Sequence, residues 1–189
     1  YLREPNDIAS YSALACIAIQ SNQNDQHGGQ SVPNFDYGMA PGVKKTYVKL
    51  YRQNLARAIE LLAEVDDIDE TVATASEIIE KVKEISGDQP SLQAGEEYAK
   101  AELPILVEMY GEQIGGKIQR FAKKHAEKEI DRSTYQAMEA LIHNLNTMHS
   151  RAGAQTPFSS INYGMDTSTE GRMVMKNILL VTEAGLGHG

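Results

Sequence analysis

A mainly α-helical fold with one or two short strands is predicted by three features of this 189-residue sequence. Apolar residues recur at three- and four-residue spacing through most of the chain. Short polar residues and glycines stand where those runs begin and end, as helix caps do. Alternation with a period of two is confined to the stretch from Thr156 to Tyr163.

Asn6-Asp7 after Pro5 reads as a helix start, because a short polar side chain accepts from the free amides of a first turn. Ile8, Tyr11, Leu14, Ala15 and Ala18 follow at helical spacing, and Cys16, Ile17 and Ile19 fill the other side, predicting a largely buried helix. The apolar pattern stops at Ser21, and the polar run from Asn22 to Gln30 reads as a loop.

A second helix is expected from about Val43 to Ala63, with Tyr47, Leu50, Leu55, Ala58, Ile59 and Leu62 inward. Asp69 is the expected cap of a third, with Val72, Ala75, Ile79, Val82 and Ile85 facing one way until Gly87. Glu96 to Glu108 reads as a helix interrupted by Pro104. Separate helices are expected over Ile118 to His125 and over Asp131 to His149. The second carries a broad stripe of Tyr135, Met138, Leu141, Ile142, Leu145 and Met148.

Thr156 to Tyr163, bounded by Pro157 and Gly164, suits a short strand. A last helix is expected from Thr169 to Ala184, with Gly185 as a left-handed cap.

Eighteen basic against 26 acidic residues leave a formal charge of -8, so no broad basic surface offers itself to nucleic acid. The longest apolar stretch, Ala13 to Ile19, is too short to span a bilayer. A single cysteine excludes an intramolecular disulfide and any multi-cysteine metal site, and places the chain by default in the cytoplasm. The chain begins at Tyr1 without methionine and stops at Gly189 just after Glu183-Ala-Gly-Leu-Gly-His, which is expected of an internal piece of a longer polypeptide.

Several residue groups invite a chemical reading. Gly111-Glu-Gln-Ile-Gly-Gly-Lys117 has the spacing of a phosphate loop. Ile118 follows the lysine where a magnesium-binding Ser or Thr is needed, and a helix rather than a strand precedes; a turn between helices is expected. Cys16, among Ala15, Ile17 and Ile19, reads as a small buried hydrophobe rather than an activated thiol. His143 and His149 are six apart and cannot pair as ligands on one helix face, so no metal site is expected.

Two polar stretches carry more. Asn22-Gln-Asn-Asp-Gln-His-Gly-Gly-Gln-Ser31 is either a solvated loop or a backbone-and-amide cradle for a polyphosphate or ribose. His149-Ser-Arg-Ala-Gly-Ala-Gln-Thr-Pro-Phe-Ser-Ser-Ile-Asn-Tyr163 leads from a helix end into a strand. It is either a pocket wall or a buried strand whose hydroxyls satisfy neighbouring backbone.

These stretches, as Gln20 to Asp36 and Asp131 to Gly164, resemble the anaerobic (class III) ribonucleotide reductases. Thr167-Ser-Thr-Glu-Gly-Arg-Met-Val174 and Thr182-Glu-Ala-Gly-Leu-Gly187 extend the resemblance. Glu64 to Lys128 is similar only in helical character, and Met165 and Thr169 depart from the threonine and proline of the family pattern.

The resemblance implies one piece, 1–189, of a ten-stranded α/β barrel shared by glycyl-radical enzymes, with 43–149 a helical dimer and effector region within it. It implies a ribonucleoside triphosphate substrate, a dNTP or ATP effector, a homodimer, and an activating enzyme with an iron–sulfur cluster and S-adenosylmethionine. It further implies a glycyl radical, a thiyl cysteine, formate as reductant and a C-terminal zinc site. Cys16 matches none of the family's cysteines, so those groups are expected outside this chain and the chain alone is expected to be inactive. On this reading Ser150, Arg151, Gln155, Ser159, Ser160 and Asn162 line the substrate pocket. Asp7, Gln26, His27, Lys44 and Lys45 contact the effector, the lysines as point charges for phosphate. A stand-alone helical nucleotide-binding module, or a structural protein that dimerises through its helices, are the readings from other classes.

Overall fold

A computed structural model describes residues 3–25, 30–32, 34–147, 159–161 and 166–185. Its elements are α1 (Ile8–Asp25), β1 (Gln30–Val32), α2 (Phe35–Leu62), α3 (Ile68–Ser86), α4 (Gly95–Tyr110), α5 (Glu112–Thr147), β2 (Ser159–Ile161) and α6 (Thr169–Ala184). The chain is mainly helical. The ten-stranded α/β barrel implied by the resemblance is absent from the described residues, which hold one parallel sheet of two three-residue strands. The physical reason lies in the periodicity: apolar residues at helical spacing favour helices, whose backbone groups pair internally, and among the described residues no further strand is left to close a barrel.

Two compact units are formed, one by Tyr1–Lys45 with Asp131–Gly189 and the other by Thr46–Ile130. In the first, α1 turns Ile8, Ser12, Cys16 and Ile19 inward, a stripe at four- and three-residue steps. Leu14 and Ile17 are 43% and 58% exposed, so the helix is less buried than the largely buried one expected. Ser12 Oγ donates to the carbonyl of Ala137 at 3.1 Å, so its hydroxyl is satisfied in the core. Gly42 lets α1 and α2 approach: a Cβ there would lie 3.0 Å from Ile8 Cα and from the Tyr11 ring.

α2 starts eight residues before the expected Val43 and contains Pro41. Gly38, Pro41 and Gly42 look like breakers, but Phe35, Met39, Ala40 and Val43 are buried and hold this first part of the helix in the core. Asn34, with φ +52°, makes the turn before it.

In the Thr46–Ile130 unit, Asp67 rather than Asp69 caps α3, its Oδ1 accepting from the amides of Asp69 and Glu70. Thr71, Ala75, Ile78, Ile79 and Val82 are its buried residues, whereas Val72 and Ile85 are exposed; the inward stripe is rotated from the one expected. Gly87 at φ +75° ends the helix in the left-handed region.

α4 runs unbroken through Pro104, because Tyr98 and Glu102 before it and Ile105 and Leu106 after it are buried. The two helices expected at Ile118–His125 and Asp131–His149 are one, α5, since Ala126 to Ile130 offers no breaker. Ile118, Ala122, Ala126 and Ile130 form a fully buried line at four-residue spacing along it.

Candidate functional site

The parallel pairing of β1 with β2 joins the two polar stretches that the sequence presents far apart. Gln30 pairs with Ser159, Ser31 with Ser160 and Val32 with Ile161. A second tie follows directly after the strands. The amide of Asp166 donates to Oδ2 of Asp36 at 3.0 Å, and Asp36 is fully buried at the start of α2.

Asp166 in turn accepts from the amide of Ser168 at 2.8 Å, and Ser168 Oγ accepts from the amide of Gly171 at 3.0 Å to cap α6. Gly171 is required there: a Cβ would fall 2.5 Å from the Asp166 carboxyl carbon. α6 then buries Glu170, Gly171, Val174, Asn177, Ile178 and Val181. Asp36, Asp166 and the start of α6 are thus tied by buried or half-buried hydrogen bonds.

Of the residues expected to line the substrate pocket, Ser159 and Ser160 lie on β2, in register with Gln30 and Ser31. Ser150, Arg151, Gln155 and Asn162 lie outside the described residues, as do Gln26 and His27 of the effector set. Asp7 is at the start of α1, where its Oδ1 accepts from the amide of Ser10 at 2.7 Å.

Lys45 is committed within the chain. Its ammonium donates to Glu4 Oε1 at 2.8 Å, to the carbonyl of Pro5 at 3.0 Å and to the Tyr11 hydroxyl at 3.2 Å. Three acceptors match its three donors. Lys44 is exposed. The structure therefore separates two lysines that sequence reasoning treated as equivalent.

Cys16 is buried and burial pushes its thiol up, which keeps it protonated. Gly111, at φ +86°, separates α4 from α5, and Lys117 is inside α5; no strand precedes the glycine, so the phosphate-loop spacing has no phosphate-loop structure. Among the described residues no group of three or more His, Cys, Asp or Glu is placed to hold a metal ion. No described helix is long and apolar enough to cross a membrane.

Sequence reasoning missed a buried polar cluster in the Thr46–Ile130 unit. Glu102 is fully buried on α4, and its Oε1 accepts from the Tyr51 hydroxyl at 2.6 Å and from Gln119 Nε2 at 3.2 Å. Gln119 also donates to the carbonyl of Ala99 at 3.0 Å. The Tyr51 ring stands edge-on to Tyr98, 5.4 Å between centroids, and 6.2 Å from Tyr47.

Burial pushes the Glu102 carboxyl up, opposed by hydrogen bonds from Tyr51, Tyr98 and Gln119; burial and the nearby carboxyl push Tyr51 and Tyr98 up as well. One signal could have found the cluster: Glu102 falls four residues after Tyr98 and four before Leu106, in line with the buried face of its helix.

Comparison with known proteins gives a consistent result. A family model described as anaerobic ribonucleoside-triphosphate reductase matches residues 1–189. The anaerobic ribonucleoside-triphosphate reductases of Salmonella typhimurium (strain LT2) and Escherichia coli (strain K12) are each 36% identical to the chain over 66 residues. That stretch is 35% of this chain and 9% of the length of each of those relatives.

Proposed function

Because the chain belongs to the anaerobic ribonucleoside-triphosphate reductase family, we propose that it is part of an oxidoreductase that converts ribonucleoside triphosphates to deoxyribonucleoside triphosphates by glycyl and thiyl radical chemistry for DNA synthesis. In that enzyme it supplies scaffold, a wall of the substrate pocket and elements of an effector site. The observation that carries this reading is the register of β1 on β2, which sets the Gln30–Val32 backbone beside Ser159–Ile161. Two polar, glycine-containing stretches of the kind that admit a triphosphate are thereby joined.

The residues of this chain do not fit the radical groups or the zinc. Its single cysteine is buried, with a thiol held protonated, and is far too few for a multi-cysteine zinc site. The hydrogen-abstracting thiol, the glycyl radical and the zinc ligands are therefore assigned to other parts of the enzyme. What this chain contributes is binding and orientation. Ser150, Arg151, Gln155, Ser159, Ser160 and Asn162 are proposed for the triphosphate and ribose. Asp7, Gln26, His27, Lys44 and Lys45 are proposed near a dNTP or ATP effector, with Lys44 bearing the phosphate contact.

A homodimer, an iron–sulfur and S-adenosylmethionine activating enzyme, formate as reductant and a cytoplasmic setting complete the proposal. They rest on family membership alone. The helical region 43–149 is the proposed dimer and effector face.

The test is calorimetric titration of the 189-residue chain with ribonucleoside triphosphates, beside the Arg151→Ala variant. Saturable heat that falls at least severalfold in affinity in the variant supports the pocket wall, and a flat wild-type titration overturns it. In an anaerobic assay with activating enzyme and formate, the chain by itself is expected to form no deoxynucleotide.

A further inference from the structure

Tyr11 of α1 and Lys45 of α2 make a seat for an anion, and the chain fills it with a carboxylate of its own. Glu4 Oε1 accepts from the Lys45 ammonium at 2.8 Å and from the Tyr11 hydroxyl at 3.2 Å. Both donors are placed by the helices. Gly42 lets α2 lie against the Tyr11 ring, where a Cβ would come to 3.0 Å from Cδ2, and Lys45 follows three residues later on the same face. Its ammonium stands 5.3 Å from the centroid of that ring and 3.2 Å from its hydroxyl oxygen.

Glu4 is held differently. Residues 3–6 are in neither helix nor strand, and the Glu4 side chain is 75% exposed. Its withdrawal breaks no helical hydrogen bond; the contacts at stake are those with Tyr11 and Lys45 and the 3.0 Å bond from Lys45 to the Pro5 carbonyl. The hydrogen bond from Lys45 holds the Glu4 carboxyl below the usual carboxylate range, so the occupant is an anion at neutral pH.

An ion pair this exposed is screened and weak. A terminal phosphate brings a charge of about -1.5 to -2 and three acceptor oxygens, against the single charge and two oxygens of a carboxylate. The surrounding charges favour the exchange. Lys44 is exposed and enters no ion pair among the described residues, and Arg3 is exposed on the same stretch as Glu4. The charge of Asp7 is met by the first turn of α1, where its Oδ1 accepts from the Ser10 amide at 2.7 Å.

We propose that Glu4 is an internal competitor for nucleotide phosphate: it occupies the Lys45–Tyr11 seat in the free chain, and a nucleotide gains Lys45 only by displacing it and releasing the stretch before α1. The inference rests on the effector reading above and adds its regulation, since nucleotide affinity is then set by how firmly Glu4 sits.

The experiment is a double-mutant cycle on the full 189-residue chain: wild type, Glu4→Gln, Lys45→Met and the two together. Each is titrated calorimetrically with dATP and, separately, with inorganic tripolyphosphate. Glu4→Gln is expected to tighten dATP about two- to fivefold, the range that an exposed ion pair supports. In the Lys45→Met background the same change is expected to gain nothing, whereas simple removal of a repelling charge would gain as much there. An equal gain in both backgrounds therefore overturns the proposal. A gain with tripolyphosphate matching that with dATP assigns the seat to the phosphate chain, and a gain confined to dATP assigns it to a nucleotide; both sustain the competition. Wild type that binds dATP, with Glu4→Gln no tighter, overturns the competition and leaves the effector reading standing. Flat titrations of both remove the effector reading and this proposal with it.

The Glu4 carboxyl carbon, followed by NMR in the wild-type chain, supplies a readout that needs no variant to fold. On saturation with dATP it is expected to move towards the position of a free glutamate. A carbon that stays in place while dATP binds shows that Glu4 has not been displaced, and overturns the proposal.

Discussion

The backbone amide of Asp166 donates to Oδ2 of Asp36 at 3.0 Å, across 130 positions of sequence. The contact fastens the residue two before the α6 cap to the first turn of α2, C-terminal to the strand in each case. Asp36 is fully buried, so removing its carboxylate leaves the Asp166 amide without that acceptor. Asp36→Ala is expected to cost about 1–3 kcal/mol of stability, and Asp36→Asn clearly less because its amide oxygen still accepts. Urea denaturation checks this; equal midpoints for wild type and Asp36→Ala would remove the tie from the account.

Two neighbouring glycines of α5 should respond with opposite signs. A Cβ on Gly115 would lie 2.9 Å from the Leu106 carbonyl carbon and 3.0 Å from the Val107 nitrogen, which are backbone atoms of α4 that cannot step aside. A Cβ on Gly116 meets Arg120 Nη1 first, at 3.3 Å, and that is the free end of a flexible side chain. Gly115→Ala is expected to destabilise by about 1–3 kcal/mol. Gly116→Ala is expected to stabilise by about 0.4–1 kcal/mol through the entropy of the unfolded chain. Thermal melts of the pair decide it, and a stabilising Gly115→Ala would mean that α4 and α5 are not in close contact there.

Asp131 provides a pH-dependent prediction at low pH. Partial burial pushes its carboxyl up, but the Lys176 ammonium at 2.7 Å and Asn177 Nδ2 at 3.2 Å more than offset this and hold it below the usual carboxylate range. A depressed folded value contributes stability that is present above the unfolded value and disappears as pH falls through the folded one. Lys176→Met should therefore raise the Asp131 value in a carbon-detected NMR titration. It should also shrink the loss of stability on acidification; an unmoved titration would show that Asn177 alone sets it.

The two lysines of the proposed effector face should separate in binding experiments. Lys45 already meets three acceptors, whereas Lys44 is exposed. If a nucleotide phosphate binds here, Lys44→Ala should weaken dATP, dGTP or ATP by roughly tenfold. Lys45→Met should act mainly on the Glu4 contact. Calorimetric isotherms of the two variants that are indistinguishable from wild type would place the effector elsewhere.

How legible the molecule was depended on whether a residue's role was local. Gly87 and the span Thr169–Ala184 could be read directly, since a helix end is decided within a turn of itself. Pro104 misled because a proline's local cost is overridden when buried residues on both sides anchor the helix. Val72 and Ile85 misled for the converse reason: an apolar residue on a helix surface is ordinary, and the rotation of α3 is set by the partners of Ile78 and Ile79.

In the candidate site, the two polar stretches were each visible, but their adjacency was not. Strand register is a property of two segments, and neither Gln30 nor Ser159 carries a mark of the other. The Glu102 cluster was illegible for the same reason, its partners coming from three helices.

The three-residue ladder has a consequence for the order in which the chain acquires its form. A parallel pair cannot be made by a hairpin, and here nearly the whole intervening chain, from Val32 to Ser159, is the crossover. So short a pair has little stability of its own, and closing so large a loop is entropically expensive. Helices α2 to α5 must therefore be in place before Gln30 and Ser159 can meet. The β1–β2 ladder is then a late-folding feature, completed only after synthesis has passed residue 161.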